Sequence, residues 1–203
     1  MLNKKNCPII QEFVESGAIL EGHFILSSGL HSSVYVQCAK LFERPSRAAK
    51  VCKMLVDKIH ATISNLDKID LILSPAIGGI VVGYEVGRQL GINSIFCERV
   101  DGKFTLHRGF EIQKGDKILI VEDVITTGKS SLETAECAKE YGGEIIAEAA
   151  LIDRSSETCL PFPVISLLDL NIQNYTDDNI PEKLKLITPI KPGSRHYLSK
   201  NAT

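Results

Sequence analysis

Apolar positions along the chain keep two alternating rhythms. Between Arg47 and Ile59 they fall at Ala48, Val51, Cys52, Leu55, Val56 and Ile59, the spacing of a helix with one buried face. Residues 79–90 predict a second helix, stopped by Gly91, and residues 129–141 a third, stopped by Gly142 and Gly143. A short helix over residues 9–16 precedes them, ended by Gly17. Between the helices lie continuous apolar runs at residues 70–74, 94–98, 117–121, 145–152 and 164–168. Runs this short, bounded by turn residues, predict strands buried on both faces. Their alternation with helices predicts an α/β fold, a doubly wound and mainly parallel central sheet with helices on both faces. Residues 1–40 and the C-terminal segment stand outside the rhythm. A single domain 1–203 is expected, with a core of residues 44–170 and a small cap from the chain termini.

Charge narrows the partners. The 203 residues carry 23 basic and 25 acidic side chains, a net −2, so neither nucleic acid nor an anionic membrane is an expected partner. No apolar run reaches the ~18–20 residues of a membrane span. The first residues lack the apolar core of a signal peptide, so a cytoplasmic protein is expected. Six cysteines form no C-x-x-C pair and sit mostly among apolar residues, as small buried hydrophobes do. His23, His31, His60 and His196 show no metal-ligand spacing and are expected at surface or cap positions.

The chemistry is concentrated in residues 118–131. An apolar run ends in Glu122 and Asp123, Val124 and Ile125 follow, and then come Thr126, Thr127, Gly128, Lys129 and Ser130 at the start of a helix. Backbone N–H groups and hydroxyls of such a loop can surround an anion where the helix dipole favours negative charge. Two acids beside that anion would repel it, yet they suit hydroxyl groups next to it. A sugar phosphate offers both. A nucleotide-binding G-x-x-x-x-G-K-[ST] loop is excluded, because it needs glycine at position 123 and finds Asp123. A second strand-to-helix corner, Ala76, Ile77, Gly78 and Gly79, has small residues that allow backbone N–H groups to reach a pyrophosphate.

Strand, two acids, two apolar residues, Thr, a small residue and Gly together resemble the phosphoribosyl-diphosphate motif of the type I phosphoribosyltransferases. The Val124 to Gly128 form is most similar to the orotate-using branch. Residues 22–32 and residues 150–154 resemble the same branch, and the likeness spans about residues 10–170. It implies that Glu122 and Asp123 hold the ribose hydroxyls and that residues 126–130 bind the 5-phosphate. It implies that Ala76 to Gly79 bind the pyrophosphate. Arg154, with Thr126 and Ser27, would meet orotate. Ser27 and Gly78 stand where many relatives carry Lys.

Residues 98–109 hold the cations Arg99, Lys103, His107 and Arg108 around an Asp101-Gly102 turn signal, a polar excursion between two strands. The resemblance places a mobile catalytic loop here. It implies a homodimer in which the 99–109 loop reaches the neighbouring active site. The implied reaction is Mg²⁺-dependent transfer of phosphoribosyl to orotate in pyrimidine (UMP) biosynthesis. Arg99, Lys103, Asp123, His107 and Arg108 are its candidate catalytic residues, with Mg²⁺ mainly on substrate oxygens. Transfer to a purine or other base, or a non-enzymatic regulator sensing phosphoribosyl diphosphate, are the alternatives.

Overall fold

The computed structural model describes residues 8–26, 28–63, 68–155 and 160–192. In chain order the elements begin with α1 (Pro8–Glu15), β1 (Ile19–Ile25), β2 (His31–Val36) and α2 (Pro45–Thr62). Next come β3 (Leu71–Pro75), α3 (Gly78–Leu90), β4 (Asn93–Val100), β5 (Lys103–Leu106), β6 (Lys117–Ile125) and α4 (Lys129–Glu140). The chain closes with β7 (Glu144–Asp153), β8 (Val164–Asp169), β9 (Asn174–Tyr175) and α5 (Glu182–Lys185). Two compact units form, Cys38–Asn171 and Met1–Gln37 with Ile172–Thr203.

The larger unit is built on one sheet of order β5-β4-β3-β6-β7-β8, parallel except for the antiparallel pair β4–β5. Its centre is the strongest apolar run of the sequence. Ile118, Leu119, Ile120 and Val121 are wholly buried. Each such side chain contributes roughly 1.5–3 kcal/mol through burial. From β3 the chain winds through α3 to β4 on one side, and from β6 through α4 to β7 on the other. The crossover direction therefore reverses between β3 and β6. In open α/β sheets a crevice opens at that place, beyond the carboxyl ends of the strands.

Close packing brings α3 onto the sheet. A Cβ at Gly87 would stand 2.8 Å from the Ile92 carbonyl oxygen, so only glycine allows this approach. One expectation needs correction. The strand expected at residues 117–121 continues to Ile125, so Glu122 and Asp123 are strand residues. Pairing with β7, Glu122 to Ala150 and Ile125 to Asp153, carries it onward. The tight turn expected at Asp101-Gly102 is present, and the hairpin it closes adds β5 as an edge strand of the sheet. β4 runs to Val100 and turns back at once, with Asp101 at φ 50 and Gly102 at φ 85, the two positive values of a type I′ hairpin.

In the smaller unit β1, β2 and β9 form an antiparallel sheet over Phe13, Ala18, Ile19, Phe24 and Val34. His23 and His31 lie in this cap unit, as expected, and are buried there. His23 Nδ1 lies 2.9 Å from the Ile187 carbonyl oxygen, His23 Nε2 lies 2.6 Å from His31 Nδ1, and His31 Nε2 lies 2.7 Å from Asp177 Oδ1. Cys38, Cys52, Cys97 and Cys137 are buried and unpaired, while Cys7, Cys159 and His196 lie outside the described residues. Burial pushes the Cys52 thiol up to about 12, far from a reactive thiolate. Among the described residues no helix is long and apolar enough to cross a membrane.

Candidate active site

Two helices begin at the crevice without a side-chain cap. After β6, Thr126 and Thr127 are exposed and Gly128 starts α4 in the left-handed region at φ 72. The Lys129 N–H donates to Thr127 Oγ1 at 3.4 Å, which curls the loop. After β3, Ile77 starts α3, and the Ala76 N–H donates to the Cys97 carbonyl at 2.8 Å. The Ala76–Ile77 peptide is cis. The first N–H groups of a helix have no partner inside it, and the dipole adds positive potential. These two starts, on neighbouring strands, therefore put two places that could accept an anion at one end of the sheet.

Strand alternation sends the adjacent acids to opposite faces. Asp123 faces α3, where a Cβ on Gly78 would lie 2.5 Å from Asp123 Oδ1. Glu122 faces α4, where Ser131 Oγ lies 3.4 Å from Glu122 Oε2. The acids thus flank β6 and meet the two helix starts separately. Burial, then Glu148 and then Asp123, push the Glu122 carboxyl up to about 8. Burial also raises Asp123, against hydrogen bonds from the backbone N–H groups of Val124 and Asp123. Glu148 on β7, fully buried, is pushed up by burial to about 7.

Arg154 directly follows β7, and its N–H donates to the Ile125 carbonyl at 2.9 Å. That bond sets it beside Thr126. Its side chain is half-buried, and among the described residues it has no acidic partner. Desolvation alone pulls the guanidinium below its usual range. A cation so placed favours an incoming carboxylate.

The hairpin cations are engaged elsewhere. Arg99 pairs with Glu133 of α4 and lies over the Phe104 ring, 4.2 Å from its centroid. Glu133 also meets Lys129 at 3.8 Å, so Arg99 stands one turn from the α4 start. Lys103 pairs with Glu140 in the last turn of α4, about 16 Å along the helix from that start. Arg108 Nε donates to Glu98 Oε1 at 2.9 Å. Counting register outward from Pro75, paired with Cys97, the hairpin tip stands level with the end of β6. Arg99 is thus near the crevice, Lys103 and Arg108 are held by Glu140 and Glu98, and His107 is exposed just after β5. Ser27 lies outside the described residues. Sequence reasoning missed Ser131, Glu133 and Glu148. For Glu148 a signal existed, one acid inside the apolar run 145–152.

Comparison with known proteins shows the family and the fold. The model of the phosphoribosyl transferase domain matches residues 40–179. An orotate phosphoribosyltransferase of Maricaulis maris is 47% identical over 188 residues, 92% of this chain and 96% of that protein. The crystal structure of orotate phosphoribosyltransferase from Aeropyrum pernix superposes with a TM-score of 0.65 at 22% identity, covering 80% of this chain and 93% of that one. An adenine phosphoribosyltransferase from Thermoanaerobacter pseudethanolicus gives a TM-score of 0.56 at 16% identity, covering 68% and 88%. The fold is therefore shared by users of different bases.

Proposed function

The chain belongs to the orotate phosphoribosyltransferase family, and on that premise we propose how its residues share the work of the reaction. Orotate N1 bonds to C1 of phosphoribosyl diphosphate and pyrophosphate leaves, giving orotidine 5′-monophosphate for UMP synthesis. One observation carries the assignment: two uncapped helix starts, two strand-end acids and an Arg with no acidic partner among the described residues share one end of the sheet. The α4 start, residues 126–130, takes the 5-phosphate. Residues 76–79 at the α3 start take the diphosphate. Glu122 and Asp123, once ionised, accept hydrogen bonds from the ribose hydroxyls on either flank of β6. Arg154 meets the orotate carboxylate, with Thr126 beside it.

The transfer asks little of general acids or bases. Its barrier is charge: the sugar centre becomes cationic while an anion departs. Arg99, Lys103, His107 and Arg108 supply positive charge to that anion. Exposed ion pairs such as Lys103–Glu140 and Arg108–Glu98 are worth little, so their exchange for a diphosphate is cheap. Mg²⁺, when bound, adds charge neutralisation on the diphosphate. That ion would be carried mainly by substrate oxygens and water, as is usual for Mg²⁺.

Ile77, Val81 and Tyr84 form an exposed apolar stripe on α3, 85%, 48% and 67% accessible. It suits a second copy of the chain, a homodimer whose 99–109 loop reaches the neighbouring site. A cytoplasmic enzyme without nucleic-acid or membrane partners completes the reading.

The test follows orotate by ultraviolet absorbance with phosphoribosyl diphosphate and Mg²⁺, with adenine, hypoxanthine and uracil in parallel. Orotate alone is expected to be consumed, and Lys103→Ala to slow it. Turnover of another base would sink the orotate assignment. Tight binding without turnover of any base would support the regulator instead.

A further inference from the structure

Glu148 is a buried acid that this division of labour leaves unused. It stands two residues before Ala150, the register partner of Glu122, so both acids leave the sheet on the face covered by α4. Ser131, in the first turn of α4 and wholly buried, lies between them. Its Oγ is 2.9 Å from Glu148 Oε1 and 3.4 Å from Glu122 Oε2. A hydroxyl owns one hydrogen. It can donate to one carboxyl group and must accept from the other. The trio is complete only when one of the two acids carries a proton.

The surroundings agree. Glu148 Oε2 is buried with no N–H or hydroxyl donor among the described residues, a costly place for a full negative charge, and the Glu122 and Glu148 carboxyl groups bear directly on each other. Asp123 bears on Glu122 from β6, and Asp153 bears on Glu148 from β7. The cation that bears on Glu122 is Arg99, itself engaged by Glu133. A pair with no protons would set two charges beneath the loop that must receive a phosphate.

We propose that Glu148 is a positioning residue for Glu122, receiving through Ser131 the proton that Glu122 gives up when it accepts hydrogen bonds from the sugar. The Glu122 O–H bond breaks as Ser131 Oγ takes that proton, and the Ser131 proton passes to Glu148 Oε1. No proton enters or leaves the protein. The proposal rests on the assignment of Glu122 to the ribose.

Two readouts test it. Difference infrared spectroscopy near neutral pH is expected to show a buried protonated carboxyl band that shifts when phosphoribosyl diphosphate is added. In the isosteric Glu148→Gln variant the shift is expected to vanish. Secondly, the KM for phosphoribosyl diphosphate in the parent is expected to climb about tenfold per pH unit on the alkaline side, as the pair loses its one proton. In Glu148→Gln that climb is expected to disappear with kcat within about threefold of the parent, since the Gln amide N–H can donate to Ser131 Oγ as protonated Glu148 does, leaving the Ser131 hydrogen for Glu122. Absence of a protonated carboxyl band in the parent overturns the proposal, as does a Glu148→Gln profile parallel to the parent's. Glu122→Gln separates the underlying assignment: an unchanged KM there ends the ribose role of Glu122, whatever the infrared band shows.

Discussion

Helix α4 carries charge on two flanks, and the two are built differently. Toward β6 and β7 it sets Ser131 against Glu122 and Glu148, all buried and, among the described residues, without a paired cation. Toward the β4–β5 hairpin it offers Glu133 and Glu140 to Arg99 and Lys103, in contacts open to water. The buried flank is fixed by strand register and cannot rearrange without unfolding. The exposed flank can trade partners at small cost. On the proposed assignment, recognition of the sugar is part of the fold, while neutralisation of the leaving group would be recruited when it arrives.

Breaking the exposed flank is expected to give the largest effect. Arg99→Ala should lower kcat by roughly 10²–10³, the usual loss of one group that stabilises transition-state charge. Single-turnover rates check it, and a change confined to KM would assign Arg99 to binding alone. Asp123→Asn comes next. It keeps the shape but removes a charged acceptor, worth about 1.5–3 kcal/mol, so KM for phosphoribosyl diphosphate should rise roughly 10- to 100-fold.

The buried flank is sharpened by pH. Glu122 and Glu148 hold protons more tightly folded, at about 8 and about 7, than at the ordinary value of 4.5. The folded state therefore binds more protons, and the stability this adds is full below 4.5 and lost as pH rises through 7 to 8. Unfolding by urea should show stability falling toward about pH 9, by up to ~1.4 kcal/mol per pH unit for each proton. Glu148→Gln should flatten the slope, and a parent flat from about pH 6 to about pH 9 would contradict this account. Smallest of all, Glu140→Gln frees Lys103 and should change kcat by less than about twofold, since exposed pairs are weak.

The same contrast explains what could be read from the sequence. Helices and strands followed from local rhythm, and the 126–130 loop was legible because its chemistry is consecutive. The length of β6 was not, since it is set by pairing with β7, a segment more than twenty residues away. Without that length the opposite facing of Glu122 and Asp123 could not be known. Lys103 meets Glu140, and Ser131 meets Glu148, only through the crossing of α4 over the sheet. Residue type suggested the cations, but no local pattern names their partners.

Arg154 ties the site to the persistence of the protein. Its guanidinium is desolvated, and in the role proposed for it a bound carboxylate would relieve that cost. Ligand that binds only the folded chain stabilises it by about 2.7 kcal/mol at a hundredfold excess over Kd. A chain held together in part by its own substrate survives proteolysis longest when that substrate is plentiful. Its abundance would then follow metabolic supply with no dedicated sensor.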